Sequence, residues 1–327
     1  MGNRKSGIRF LVVLFIAIFM AGCARQARET LPSGFNEKKF IEKCNASFSD
    51  STGSALVMES GTGRVILLIG ENSAKRPYTL GSVFKPVTLS AALAERAIDS
   101  RHEEFCDGRA RIGGSMLACW RGDGHGLLTP TSALANSCNI YFGRVGAKVG
   151  APGIIKFARQ FGFGELSGLG LDDESEGTLP GSVATEQTPS LAIGELDTLT
   201  ATPLQVLVYM GAIATRGTVF NLHSRKSSPD VRRRLPFKDA LDVVVLGMHQ
   251  SVLYGTSAEV SKVTPDAAGK TGTAKQPGEW RTHSWFGGFY PVENPEIVLV
   301  IFTRRGQGRN EAARAAAGIL NEYIKLR

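Results

Sequence analysis

The sequence predicts an α+β fold, in which an antiparallel β-sheet is flanked by N- and C-terminal helices beside a mainly helical second lobe at about residues 86–260. Three observations carry this reading. Strand-like runs lie only towards the two ends, at Ser54–Ser60 and Arg64–Ile69 and again at Ala267–Ala274, Ser284–Tyr290 and Glu296–Thr303. The stretch from Ser82 to about Gly255 reads as helical patterns broken by glycine-rich loops. The chain then closes on an Ala-rich amphipathic pattern, Asn310–Leu326. An early hairpin can pair with three late strands in one sheet, leaving a cleft between the sheet and the central helices. Ser82 falls at that junction.

Taken in order, Arg4, Lys5 and Arg9 precede an uncharged apolar run, Phe10–Ala21, followed by Gly22-Cys23. A basic flank, a short apolar core and small residues at a cut site form an export signal, too short for a comfortable membrane span. Met20-Ala21-Gly22-Cys23 resembles a bacterial lipobox, so residues 1–22 are expected to be a lipoprotein signal peptide and Cys23 the lipidated first residue of the mature protein. That places the body outside the cytoplasm, in the periplasm or at the cell surface, tethered to a membrane. Residues 24–34 form a polar linker, and Asn36–Cys44 a small helix with Phe40 and Ile41 as buried contacts. The catalytic domain is expected over residues 53–327. It opens on the hairpin turned by Gly61-Thr62-Gly63. Pro291 and Pro295 mark the turn between the last two strands.

At 327 residues, 43% hydrophobic and 21% charged, the chain is an ordinary globular protein. Its formal charge of +8 falls to +5 once the three signal-peptide bases leave. The excess lies in Arg225-Lys226 and Arg232-Arg233-Arg234, without the interleaved aromatics of a nucleic-acid site. Four cysteines remain after Cys23: Cys44, Cys106, Cys119 and Cys138. In an oxidising compartment Cys106 and Cys119, bracketing a glycine-rich loop, are the expected disulfide. The five histidines are scattered and no Cys-x-x-Cys occurs, so neither a metal site nor a cofactor is expected.

The chemistry begins at Ser82 and Lys85. A serine in a first helical turn and a lysine one turn on share a face, so the amine can take the hydroxyl proton. Helix-start N–H groups favour the developing negative charge. Pro86 is tolerated there, and Val87, Leu89, Ala91 and Leu93 continue a buried, Ala-rich helix. A Ser-x-x-Lys pair recurs by chance, but two further motifs follow: Ser137-Cys138-Asn139, and Lys270-Thr271-Gly272-Thr273 on a predicted strand. Ser-x-x-Lys, Ser-x-Asn and Lys-Thr-Gly in this order are the set of class A β-lactamases and penicillin-binding proteins. Acyl transfer needs a nucleophile, a base, a proton relay to the leaving amine and oxyanion donors. Ser82 would attack, and Lys85 would act as base once its pKa falls well below about 10.4. Burial and the second cation, Lys270, both push it down. Ser137 would relay the proton, while Asn139 would orient Lys85 and bind a substrate amide. Thr271 and Thr273 offer hydroxyls to a substrate carboxylate, Gly272 permits close approach of substrate backbone, and the amides of Ser82 and Thr273 would form the oxyanion hole.

The chain resembles the transpeptidase domain of penicillin-binding proteins, class B above all, over roughly residues 53–325. Leu80–Pro86 resembles the family's nucleophile segment. Cys106–Gly126, with Cys119-Trp120 and Gly124-His125-Gly126, resembles the loop leading to Ser-Cys-Asn. Thr202-Pro203-Leu204-Gln205 and Trp285–Pro291 resemble a family helix opening and the strand after Lys-Thr-Gly. The resemblance implies the β-lactamase/transpeptidase fold, a peptidoglycan stem peptide ending in D-Ala-D-Ala as substrate, acylation by β-lactams, and a glycan polymerase as partner. Two departures stand out. The family's Gly-Gln-Gly turn is Gly194-Glu195-Leu196 here, altering the cleft edge, and only about thirty residues separate Cys23 from the first strand, where class B enzymes carry a large pedestal. Strand cross-linking and carboxypeptidase trimming are both open. The alternatives are a serine β-lactamase and a sensor that is acylated without turnover. Glu176-Gly177-Thr178-Leu179-Pro180 is the nearest match to a β-lactamase deacylating loop, but it carries proline in place of asparagine and reads as surface.

Overall fold

The computed structural model describes residues 31–48, 52–226, 228–304 and 310–327. The signal peptide and Cys23 lie outside the described residues. Among the described residues no helix is long and apolar enough to cross a membrane.

The early hairpin and the late strands form one antiparallel sheet, as expected. Its strands are β1 (Ser54–Glu59), β2 (Val65–Ile69), β3 (Ala268–Lys275), β4 (Thr282–Tyr290) and β5 (Ile297–Thr303), in the order β3-β4-β5-β1-β2. The register Val57↔Leu299 and Phe286↔Ile301 aligns apolar side chains across strands buried on both faces. The β1–β2 pairing carries a register shift at Val57/Met58.

One face of the sheet is covered by the terminal helices α1 (Glu37–Ser47) and α7 (Glu311–Leu326), which pack Phe40, Cys44, Ile319, Leu320 and Tyr323 against Val57, Leu299 and Ile301. Arg64 ties α1 to the sheet, donating to Glu37 at 3.0 Å and to Glu59 at 3.4 Å. The other face carries the helical lobe: α2 (Lys85–Ala94), α3 (Pro130–Ala135), α4 (Asn139–Gln160), α5 (Pro203–Ala214) and α6 (Lys238–Leu253). Every residue of α5 is buried, so its pattern is apolar all round rather than striped. Thr202 and Gln205 close a capping box at its start. In α4 a break at Gly150 precedes Pro152.

The lobe also contains three short hairpins that the sequence reading did not separate from loop: Glu104–Cys106 with Gly126–Leu128, Arg109–Ile112 with Ser115–Ala118, and Thr218–Phe220 with Val231–Arg234. Their strands are only three or four residues long, too short for a period-2 pattern to show. Within the basic run, Arg232 and Arg233 both pair with Glu165.

Candidate active site

The segment before the nucleophile is pinned before any helix begins. Trp285 Nε1 donates to the Thr79 carbonyl at 3.0 Å, and His283 Nε2 lies 2.8 Å from the same oxygen. Gly81 then turns the chain with φ at 56°, and a Cβ there would meet the Thr273 carbonyl at 2.4 Å. Ser82 opens a single 3₁₀ turn, Gly81–Phe84, and Lys85 begins α2 directly after it. Tyr209 donates its hydroxyl to the Val83 carbonyl at 2.6 Å, bracing that turn from α5.

Gly272 also has a structural reason to be a glycine. A Cβ at this position would lie 2.9 Å from the Leu80 oxygen and 2.9 Å from the Val83 amide. The glycine lets the turn that carries Ser82 approach β3. Any side chain at 81 or 272 would prise Ser82 off the strand.

Four other predicted residues are brought together by direct contacts. Lys85 Nζ donates to the Ser137 carbonyl at 2.7 Å, to Ser137 Oγ at 3.2 Å and to Asn139 Oδ1 at 2.7 Å. Lys270 Nζ reaches Ser137 Oγ from the other side at 2.9 Å and also donates to the Thr271 carbonyl at 2.9 Å. Ser137 therefore bridges the two lysines. It does so from a left-handed backbone conformation, φ 54°, which costs a non-glycine residue about 1–2 kcal/mol and persists because both amines and the start of α4 hold it. Asn139 is fixed at its other end by Nδ2 donating to the Ala118 carbonyl at 3.0 Å.

Both lysines are fully buried. Burial lowers the Lys85 pKa to about 8, against the opposing pull of negative charge at Glu195, Cys138 and Cys119. Lys270 is held well below the usual lysine range, first by burial and then by the charge of Lys85.

Ser82, Ser137, Asn139, Thr271, Gly272 and Thr273 line one cleft of about 570 Å³, with Trp120 and Tyr254 as exposed aromatic walls. The lysines sit behind it. β3 is the edge strand of the sheet, so no further strand covers its outer side. Glu176 is exposed in a loop and does not line this cleft. Glu195 does line it, although the sequence reading had placed its effect only at the cleft edge.

The expected Cys106–Cys119 disulfide is absent: both residues are free thiols. His125 Nδ1 lies between them, 3.6 Å from Cys106 Sγ and 3.4 Å from Cys119 Sγ, and Cys119 Sγ is 4.0 Å from Cys138 Sγ. All four donor atoms lie within 4.8 Å of one another, a cluster able to hold a metal ion and contrary to the expectation of none. Tetrahedral zinc, with Zn–S about 2.3 Å and Zn–N about 2.0–2.1 Å, puts sulfur–sulfur edges at about 3.8 Å and sulfur–nitrogen edges at about 3.6 Å. The three observed edges lie within about 0.2 Å of these values. The hydrogen bond with Cys138 first and then that with His125 lower the Cys119 pKa, while the same Cys119–Cys138 contact and then burial push the Cys138 thiol up, so a metal bound here would displace the proton held at Cys138. A signal existed in the sequence: three cysteines and a histidine between residues 106 and 138, spaced by hairpins rather than by a Cys-x-x-Cys turn. Cys138 lies between Ser137 and Asn139 and caps α4, accepting from the Tyr141 amide at 3.4 Å, so the cluster anchors the second motif to the preceding loop. Protein prepared without chelator is expected to hold about one zinc per chain by elemental analysis, and His125→Ala to lose it with a lower Tm. A metal-free wild type after refolding with zinc would contradict this.

The family model described as "Penicillin binding protein transpeptidase domain" matches residues 53–325. Stage V sporulation protein D of Bacillus subtilis is 28% identical over 252 residues, covering 71% of this chain and 39% of that protein. Peptidoglycan D,D-transpeptidase MrdA of Acinetobacter baumannii is 26% identical over 289 residues, covering 76% of this chain and 43% of that protein. The chain therefore spans about two-fifths of the length of these relatives. The solved D,D-transpeptidase domain of a peptidoglycan glycosyltransferase from Eggerthella lenta superposes with a TM-score of 0.79 at 23% identity, covering 88% of this chain and 81% of that one, a likeness of fold.

Proposed function

Because the chain belongs to the penicillin-binding protein transpeptidase domain family, we propose that it is an acyl-serine D,D-transpeptidase or carboxypeptidase acting on peptidoglycan stem peptides that end in D-Ala-D-Ala, and that β-lactams acylate it at Ser82. The observation that carries this reading is the bridge Lys85–Ser137–Lys270 behind a cleft lined by Ser82. Neutral Lys85 takes the Ser82 proton as Oγ attacks the penultimate carbonyl. The proton passes through Ser137 to the departing D-Ala nitrogen as the peptide bond breaks. Lys270 Nζ, donating to Ser137 Oγ, keeps Ser137 aligned, and the amides of Ser82 and Thr273 receive the oxyanion. Thr271 and Thr273 bind the terminal carboxylate, and Asn139 holds Lys85 while contacting a substrate amide. This placement requires an extracytoplasmic location, which the signal peptide and lipidated Cys23 would supply through a membrane anchor. A glycan polymerase partner follows from the class B resemblance.

The base must be neutral to work, so the sign of the pH dependence is fixed. Acylation should rise with pH, about tenfold per unit while Lys85 remains protonated, and level off above about 8. Rates of fluorescent-penicillin labelling between about pH 6 and 9 measure this; a flat profile would mean that a different group takes the proton.

A further inference from the structure

Ser82, both lysines, Ser137 and Asn139 all have tasks in acylation, whereas the two acids on the cleft wall, Glu195 and Glu259, have none. Glu195 lines the same cavity as Ser82 and Asn139. It follows Gly194, whose carbonyl accepts the Gly81 amide at 2.8 Å, and its own amide donates to the Ser190 carbonyl at 2.9 Å. The turn bearing the carboxylate is thus fastened to the residue immediately before the nucleophile. It has no slack, since Gly194 has φ at 79° and a Cβ there would meet the Gly81 oxygen at 2.1 Å. Among the described residues no hydrogen bond or ion pair engages the carboxylate. The other acid on the cleft wall, Glu259, is paired with Lys262 at 2.8 Å. Glu195 feels the charge of Lys85 without touching it; although the side chain is exposed on the cleft wall, partial desolvation there raises its pKa against that charge. Trp120 and Tyr254 present exposed aromatic faces to the same cavity, and such faces attract cations. An unengaged carboxylate that shares one cleft with two exposed aromatic faces and with Ser82 is suited to receive an ammonium group.

We propose that Glu195 receives the acyl acceptor of the second half-reaction: it draws a cationic primary amine into the cleft and takes the proton that this amine must lose before attacking the Ser82 ester. The inference rests on the acyl-serine reading and deepens it by naming the acceptor class. The step balances without a further reagent. The ammonium gives one proton to the Glu195 carboxylate, and the neutral amine forms an N–C bond to the acyl carbon as the C–Oγ bond breaks. The second amine proton passes through Lys85 to Ser82 Oγ, and Glu195 returns its proton to solvent.

The test compares full-length wild type, Glu195→Gln and Glu195→Asp, using a peptide donor ending in D-Ala-D-Ala and a lysine-containing peptide as the amine. Three rates are read for each: labelling by fluorescent penicillin, amide product and hydrolysed acid. Glu195→Gln should change labelling by less than about threefold, and in the upward direction because the Lys85 pKa loses the pull of a negative charge, whereas amide formation should fall by about 10²-fold, the low end for loss of an acid–base group. The amide-to-acid ratio then drops, and Glu195→Asp restores part of it. A purely structural role would move all three rates together, so that pattern would overturn the proposal. An unchanged ratio in Glu195→Gln, or a wild type that only hydrolyses, would overturn it too. Loss of hydrolysis alone would assign the carboxylate to water and reject the amine. Absence of penicillin labelling in wild type is a separate outcome and would remove the acyl-serine reading itself.

Discussion

Replacing Ser82 by alanine should abolish covalent labelling by penicillin while leaving the thermal transition near that of wild type. The hydroxyl is half-exposed in the cleft, and the turn that carries it is held by other atoms: the Gly81 amide on Gly194, the Val83 carbonyl on Tyr209, and the Thr79 carbonyl under Trp285. Removing one exposed oxygen breaks none of these, so the stability change should stay within about 0.5 kcal/mol. The nucleophile has no substitute within the motif, because Ser137 Oγ is occupied by both lysines. Adducts mapped by peptide mass in the Ser82→Ala protein to any other residue would refute the assignment.

Lys85→Ala should slow acylation by roughly 10²–10⁴-fold, the usual worth of general acid–base catalysis. Reversible binding should change far less. The substitution has a structural side as well: it empties a fully buried site and leaves the Ser137 carbonyl and Asn139 Oδ1 without their shared donor. Lys85→Met separates the two effects, since it fills similar volume and cannot accept a proton. If Lys85→Met acylates as fast as wild type, the base lies elsewhere; if it is as slow as Lys85→Ala, proton transfer rather than packing explains the loss.

Much of this centre is legible as residue types at spacing. Ser82 and Lys85 sit three apart, so one helical turn aligns them. Lys270 lies on a run that alternates as a strand, and the meeting of early and late strands follows from where the strand patterns lie. What spacing could not show is why particular small residues are there. Gly272 and Gly81 look like substrate clearance or turn residues, yet each is jammed against the other's element, a tertiary fact with no local signature. The Cys106, Cys119, His125 and Cys138 cluster was hidden for a related reason. Its members are gathered by hairpins whose strands are too short to leave a pattern, and an extracytoplasmic setting favoured a disulfide between two of them. Glu195 was visible as a departure from a family turn, but its position on the cleft wall depends on the Gly194–Gly81 contact. Helix boundaries shifted little, with Glu37–Ser47 and Glu311–Leu326 close to the patterns that predicted them.

The fate of the acyl-enzyme separates a wall enzyme from a resistance enzyme. Penicillin keeps its leaving amine attached after the ring opens, so that amine cannot diffuse away from the ester. Glu176, the residue closest in pattern to a deacylating acid, lies outside the cleft. The most direct measurement is the intact mass of the wild-type protein followed over time after a brief exposure to penicillin, with the adduct located by peptide mapping. A single penicilloyl group on the Ser82 peptide, persisting for many minutes, is the result expected of an acyl-serine transpeptidase. Turnover of many penicillin molecules per second, with no adduct retained, would contradict it and identify the protein as a β-lactamase.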